Sequence, residues 1–353
     1  MIENLEKYVN QTPSVRFVVL TAGTIIIIGA IYSASTFLIP ILLALIFAVL
    51  FWVPLTALQR RGLSSGMALA VVLLGVVVVT VLFVLLMGVA VAGFADAIPE
   101  YQARLTEQLR GIGDMLRSRG IDPGRISSLS EDRTINVGLI LSYVLGAISQ
   151  LLSYAFIILF YIIFMLVEAT TFQNKIKAAF KDNQYAYGYF EEVMSSMQYY
   201  MVIKTQINAI TGVGIGAALW LIDLDFAILW GFVAFLLNYV PNFGSIIAAI
   251  PAVMLAFVQF GIGWQFWVVL GIFVAVNILV GYVVEPKMMG KGLGLSALVV
   301  LVAVIFWGWI LGPVGLILSV PITVALKIFM RSYPGSNWLA IMLGDGSELE
   351  TPA

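Results

Sequence analysis

The sequence predicts an all-α integral membrane protein with about six full transmembrane helices and two re-entrant, broken helical hairpins. Three observations carry that expectation. Of 353 residues, 61% are hydrophobic and only 10% charged, with a mean hydropathy of +1.05, whereas soluble domains carry about a quarter charged residues. The apolar residues arrive in continuous runs near the length that crosses about 30 Å of hydrocarbon as a helix, without the alternation of a membrane barrel. Two further apolar stretches are interrupted near their middles by Pro and Gly, and irregular backbone at membrane depth is tolerated only where it is buried in protein or lines a cavity.

Taken in order, the runs at 15–35, 37–58, 66–94, 139–168, 203–222 and 264–284 read as full spans, each bounded by charge, Pro or Gly. The stretches 226–260 and 295–330, broken at Pro241-Asn242-Phe243-Gly244 and at Gly312-Pro313, read as hairpins. The polar start carries Glu3, Glu6 and Lys7, and no small-residue cleavage site follows the first run, so that run reads as an anchor and not a removable signal. Residues 96–138 alternate Arg with Asp and Glu and contain the turn Gly120-Ile121-Asp122-Pro123-Gly124. They read as an external helix and turn: a solvated connector first, a small lid or oligomer contact second. Residues 169–200, with Tyr185, Tyr187, Tyr189, Tyr199 and Tyr200, read as an interfacial helix with aromatic anchors.

Basic residues orient the chain. With the N-terminus inside, every Lys (7, 175, 177, 181, 204, 287, 291 and 327) and Arg16, Arg60, Arg61 and Arg331 fall on the cytoplasmic side, and the remaining Arg fall outside. Both termini are then cytoplasmic. The expected division is 1–95 as scaffold spans, 96–138 as the external segment, 139–202 as the fourth span and interfacial helix, 203–332 as the transport region, and 333–353 as a cytoplasmic tail.

Several functions drop out on composition. The net charge of −1 and the lack of any long basic block leave a nucleic-acid partner without an electrostatic footing. The chain has no Cys and no His, which removes thiolate and imidazole chemistry and nearly every transition-metal site, so no cofactor or metal is expected. Gly111-Ile112-Gly113-Asp114 spells a motif of intramembrane aspartyl proteases, but it lies in the polar segment without a second intramembrane Asp. The Gly212-x-Gly214-x-Gly216 run lacks the strand and acidic residue of a dinucleotide fold and reads as helix packing. The expectation is a carrier, not an enzyme.

Residues 204–260 and 264–330 share an order of parts, a span followed by a broken hairpin, with Trp-Gly in each first arm (230–231 and 307–308) and Ala249-Ile250-Pro251 or Ser319-Val320-Pro321 in each second arm. The two units would be inverted in the membrane, the architecture with which secondary carriers build a site at broken helices. The hinge or broken-helix positions are therefore Pro241, Gly244, Pro251, Gly312, Pro313, Gly315 and Pro321. Two polar stripes accompany them: Lys204, Asn208, Gly212 and Gly216, and Asn277, Gly281 and Glu285, each spaced by four so as to share a helical face. Either the glycines allow close packing while the amides bond between helices, or Asn208, Asn238, Asn242 and Asn277 line a polar cavity. Neutral amides both donate and accept, which suits a small uncharged polar cargo. Glu285 is a proton or ion site, a salt-bridge partner of Lys204, or simply interfacial.

The runs Leu237-Asn238-Tyr239-Val240-Pro241-Asn242-Phe243-Gly244-Ser245, Glu285-Pro286-Lys287-Met288-Met289-Gly290-Lys291-Gly292-Leu293-Gly294 and Phe306-Trp307-Gly308-Trp309-Ile310-Leu311-Gly312-Pro313-Val314-Gly315 resemble the autoinducer-2 exporter family of bacterial permeases. The resemblance covers nearly the whole chain in span order. It implies a bacterial inner-membrane secondary carrier, homo-oligomeric and pentameric, in which the hairpins move elevator-fashion against a static scaffold. It implies autoinducer-2 as the exported cargo, with monovalent cation (sodium)/proton antiport as the runner-up. It also places function at the Pro-Asn-x-Gly break, at Glu285-Pro286 and at the Gly312 to Gly315 break. The substrate pathway expected from these readings is Asn208, Asn238, Pro241, Asn242, Gly244, Asn277 and Glu285.

Overall fold

The computed structural model describes residues 13–119, 137–179, 184–241, 243–289, 294–333 and 335–346. These form α1 (Pro13–Ser33), α2 (Ser35–Arg60), α3 (Ser65–Ser118), α4 (Val137–Ala179), α5 (Gln184–Leu221), α6 (Ala227–Leu237), α7 (Gly244–Phe260), α8 (Trp264–Leu279), a π-turn (Val280–Val284), α9 (Glu285–Met289), α10 (Ala297–Arg331) and α11 (Asn337–Leu343). No strand occurs among the described residues beyond one isolated bridge between Leu295 and Gly344. Among the described residues, six helical stretches are long and apolar enough to cross a membrane, in α2, α3, α4, α5, α8 to α9, and α10, the last of which is broken at Gly312. Many of their apolar side chains, such as Val89, Phe156 and Tyr282, are exposed, as expected of an all-α protein whose solvent is lipid.

Both hairpins are real chain reversals. A helix of 11 residues such as α6 spans about 16 Å, too little for a crossing, and its end at Leu237 is followed by the turn that starts α7. In α10, Gly312 leaves helical geometry at φ 62°, ψ −148°. The Trp307 indole N–H then donates to the Thr323 hydroxyl at 3.2 Å, whereas sixteen residues of straight helix would hold the two about 24 Å apart. The chain therefore folds back at Gly312. Pro251 and Pro321, expected as further breaks, do not act as such: each lies inside continuous helix. A proline removes one hydrogen bond and bends a helix, whereas the reversal at Gly312 uses a positive φ that glycine adopts without strain.

The polar segment after the third span is helical as far as it is described, and it is continuous with that span: α3 is 54 residues long, about 80 Å. Its far part is largely exposed but buries Tyr101 and Leu105 in a core shared with Phe94, Leu224, Trp230 and Leu255. The turn expected at 120–124 lies outside the described residues. Likewise the expected interfacial helix is the end of α4 and the start of α5, and Tyr200 is buried in it.

Three apolar cores organise these elements. One joins α2, α3 and α4 through Ala44, Leu55, Val72, Ile162 and Leu166. A second wraps the first hairpin with α3, α4, α5 and α8. The third gathers Ile46, Tyr200, Tyr239, Val314, Leu318 and Val324, so the tip of the first hairpin and the second arm of the other meet beside α5.

Candidate site at the hairpin tips

Helix α5 supplies the floor of the site. Its residues Lys204, Asn208 and Thr211 follow helical spacing on one face and are 3%, 0% and 3% exposed. Polar groups at such depth persist only when partnered. Thr211 bonds its own backbone, its hydroxyl donating to the Ile207 carbonyl at 2.9 Å. The other two reach across to neighbouring elements.

The Asn208 and Asn238 amides face each other at 2.9 Å, linking α5 to the end of α6. With its nitrogen donating to the Lys204 carbonyl at 3.1 Å, Asn208 can accept from the Tyr239 backbone N–H at 3.3 Å. The Tyr239 and Thr205 hydroxyls share a hydrogen bond of 2.7 Å. On the other side of the tip, Ser245 at the start of α7 donates to the Asn277 amide oxygen on α8 at 2.8 Å. Lys204 donates to Glu285 at 2.6 Å, with the lysine side chain 4% and the carboxylate 30% exposed. Within a membrane an inter-helical hydrogen bond contributes about 0.6 kcal/mol. Removing one member of a buried ion pair costs about 3–5 kcal/mol, so Lys204–Glu285 is the contact to which the arrangement is most sensitive.

Glycines set the distances. A Cβ on Gly244 would lie 1.8 Å from the Leu237 carbonyl oxygen, and one on Gly315 would lie 1.8 Å from that of Trp307. Both second arms therefore leave their tips in contact with the first arm's backbone. Gly212 and Gly231 approach similarly: a Cβ on either would lie 2.7 or 2.6 Å from the other's carbonyl oxygen, and Gly216 packs on Gly231 as well. This is the close-packing reading of the α5 glycines.

Asn208 is fully buried, Asn238 half-buried and Asn277 exposed on the far side of the tip at its bond to Ser245, and Asn242 lies outside the described residues. An open groove of about 530 Å³ is lined by Gly212, Val213, Trp220, Ile228, Phe232 and Phe235, among other residues, and not by Asn208, Asn238 or Asn277. Pro241 is half-buried at the tip, Pro313 exposed beside Gly312, and Pro251 and Pro321 buried. Sequence reasoning passed over Ser245, Thr205 and Tyr239. The spacing of Thr205 from Asn208 by three was a usable signal; nothing local marks Ser245 as the partner of a residue 32 positions on.

A second polar cluster lies at the opposite ends of the same elements. The Tyr101 hydroxyl donates to Asp225 at 2.8 Å. The Asp225 N–H donates to the Gln259 side-chain oxygen at 3.0 Å, and the Gln259 amide donates to the Asp223 carbonyl at 2.8 Å. Asp223 and Phe226 hold φ of 54° and 57°, an uncommon geometry for residues other than glycine. Near the end of α10, Arg331 pairs with Glu192, and the buried Lys327 donates to the Gly294 carbonyl at 2.7 Å.

Comparison with known proteins agrees with this architecture. The family described as AI-2E family transporter matches residues 20–335. A "Putative transport protein" of Haemophilus influenzae is 34% identical over 331 residues, covering 92% of this chain and 94% of the relative. The AI-2 transport protein TqsA of Escherichia coli is 32% identical over 331 residues, covering 94% and 96%. YhhT of Escherichia coli, also named as a transport protein, is 31% identical over 328 residues, covering 92% and 93%. The multi-pass helical fold, the two reversed hairpins and a family match along most of the chain lead to one conclusion: this protein belongs to the AI-2E family of transporters.

Proposed function

We propose that this chain is a secondary carrier of the bacterial inner membrane that exports a small neutral polar metabolite, with autoinducer-2 as the first cargo to test. The observation that carries the reading is the amide and hydroxyl cluster at the first hairpin tip: Asn208 with Asn238, Thr205 with Tyr239, Ser245 with Asn277. These groups donate and accept without net charge, which matches an uncharged polyol or carbonyl compound. The name of the relative TqsA supports autoinducer-2 over other such compounds. Alternating access would come from the hairpins moving against the scaffold of α2, α3 and α4. The matched close approaches at Gly244 and Gly315 support reading the two hairpins as inverted counterparts. A homo-oligomer, which the family resemblance implies, is part of the same proposal.

Monovalent cation/proton antiport, the rival reading, wants several carboxylates at depth. Here Glu168 pairs with Lys175 at an exposed site, Asp223 is exposed, and Asp225 is bonded to Tyr101. The fourth carboxylate, Glu285, is half-buried and paired with Lys204 at 2.6 Å, so one such group lies at depth where the rival reading wants several.

A cargo that binds the folded carrier stabilises it by RT ln(1 + [L]/Kd) and so raises its melting temperature. Autoinducer-2 is expected to raise the Tm of the purified protein in a concentration-dependent way, and Asn238→Ala to abolish the shift. Equal shifts in both proteins would remove the hairpin tip from the binding site.

A further inference from the structure

Helix α5 carries one buried polar side chain per turn along a single face: Tyr200, Lys204 and Asn208, each four residues from the next. Two of them are answered from across the fold, Lys204 by Glu285 at 2.6 Å and Asn208 by Asn238 at 2.9 Å. The Tyr200 hydroxyl is not. Its residue is 4% exposed, yet it makes no hydrogen bond among the described residues. A buried tyrosine hydroxyl ordinarily finds a partner, because leaving one unmade is costly. No fully enclosed side-chain oxygen or nitrogen among the described residues lacks a partner, so the Tyr200 oxygen opens onto accessible space and is not sealed in apolar packing.

The position of this hydroxyl gives it a use. The Tyr200 ring belongs to the core that joins Ile46 of α2, Tyr239 at the first hairpin tip, and Val314 and Leu318 of the second hairpin. It therefore stands where both hairpins meet α5. Tyr200 lies within electrostatic reach of Glu285 and Tyr239. The Tyr239 hydroxyl is engaged with Thr205 at 2.7 Å. The Glu285 side chain is 30% exposed and meets Lys204 through Oε1, and its Oε2 makes no hydrogen bond among the described residues.

We infer that the Tyr200 hydroxyl and Glu285 Oε2 form a subsite for a cargo hydroxyl, with Tyr200 setting a preference for hydroxyl-bearing compounds. The carboxylate oxygen only accepts, so it takes an O–H. The phenol donates as well as accepts, so it takes the oxygen of the same hydroxyl or of an adjacent one. A diol or polyol satisfies both groups. A compound with carbonyl oxygens alone satisfies the phenol and leaves the carboxylate oxygen facing a second acceptor. The inference narrows the cargo class proposed above and rests on that proposal's placing of the site at the hairpin tip, but not on autoinducer-2 as the compound.

Tyr200→Phe removes the hydroxyl and keeps the ring. It is compared with the unaltered full chain in detergent, with Tyr282→Phe, at an exposed position, as the control. The Tm of unliganded Tyr200→Phe is expected to equal or exceed that of the unaltered protein, since no partner is stranded. Tm is then followed against the concentration of autoinducer-2 and, separately, of the neutral polyol ribitol, because the rise depends on [L]/Kd. The concentration that gives a set rise should increase about three- to tenfold in Tyr200→Phe, the loss of one neutral hydrogen bond, and stay unchanged in Tyr282→Phe. A response to ribitol with this dependence but none to autoinducer-2 removes the assigned cargo and leaves the subsite standing. Equal concentrations for Tyr200→Phe and the unaltered protein overturn the inference and leave the cargo standing, since the hydroxyl then meets only water. An unliganded Tyr200→Phe that melts several degrees lower overturns it too, because the hydroxyl is then a structural donor. No response of the unaltered protein to either compound removes the subsite and the cargo together.

Discussion

Gly244 stands so close to the Leu237 carbonyl that a Cβ on the glycine would lie 1.8 Å from that oxygen. No side chain can relax the contact, because the opposing atom is backbone. Gly315 and Trp307 repeat the relationship in the second hairpin at the same 1.8 Å. Gly244→Ala and Gly315→Ala are therefore expected to destabilise by about 3 kcal/mol or more, the upper end for overpacking. Detergent-solubilised yield and Tm are the readouts, with Gly271→Ala, which meets nothing within 4 Å, as the neutral control.

The glycines of α5 are expected to divide by face. Gly212→Ala would drive a methyl to within 2.7 Å of the Gly231 oxygen and the Phe235 Cβ, whereas Gly214→Ala meets open space. The first should lower Tm by several degrees and the second leave it unchanged or slightly raised, since alanine is the better helix former by about 0.5–1 kcal/mol. Equal effects from the two would show that α5 does not pack on α6 through this face.

Two ion pairs allow a comparison of burial. Lys204→Met leaves a half-buried carboxylate without its partner and should cost about 3 kcal/mol. Arg331→Ala removes a fork onto Glu192 whose side chains are 35% and 40% exposed, and should cost about 1 kcal/mol or less. Thermal unfolding of the two variants in one detergent ranks them; a larger loss from Arg331→Ala contradicts the placement of Lys204 at the centre of the fold.

These contrasts also show what a linear reading can reach. Spans and breaks were legible because membrane length and the chemistry of Pro and Gly act locally: α2, α8 and the reversal at Gly312 lie where apolar runs and breakers put them. The pairing of Lys204 with Glu285 was open to reading as well, since two opposite charges at apolar depth have few other partners. The continuation of α3 past residue 95 was not. The polar residues that mark the membrane boundary are good helix formers, so a change of solvent does not end a helix. The asparagines are ambiguous in a different way: an amide is equally suited to line a cavity and to bridge two helices, and only the fold decides that Asn208 is fully buried. Tyr101 and Asp225 are 124 residues apart, a pairing that no local pattern records.

The contact between Tyr101 and Asp225 gives a further expectation. Tyr101→Phe keeps the ring against Phe94 but removes the hydroxyl that donates to Asp225. A hydrogen bond to a charged acceptor contributes about 1.5–3 kcal/mol, and its loss should appear as faster amide hydrogen exchange at 222–226, with exchange in α2 unchanged. Unaltered exchange at 222–226 would mean that α3 does not hold the end of the first hairpin that lies away from its tip.

The most direct measurement of the central claim is efflux of labelled autoinducer-2 from proteoliposomes containing the purified protein, beside protein-free vesicles and a Pro241→Ala variant. The account predicts protein-dependent efflux that is slowed several-fold or more by a change at the hairpin tip. Efflux that equals the protein-free control under every imposed ion gradient would contradict the assigned cargo, and protein-dependent efflux unaffected by Pro241→Ala would take the first hairpin tip out of the pathway.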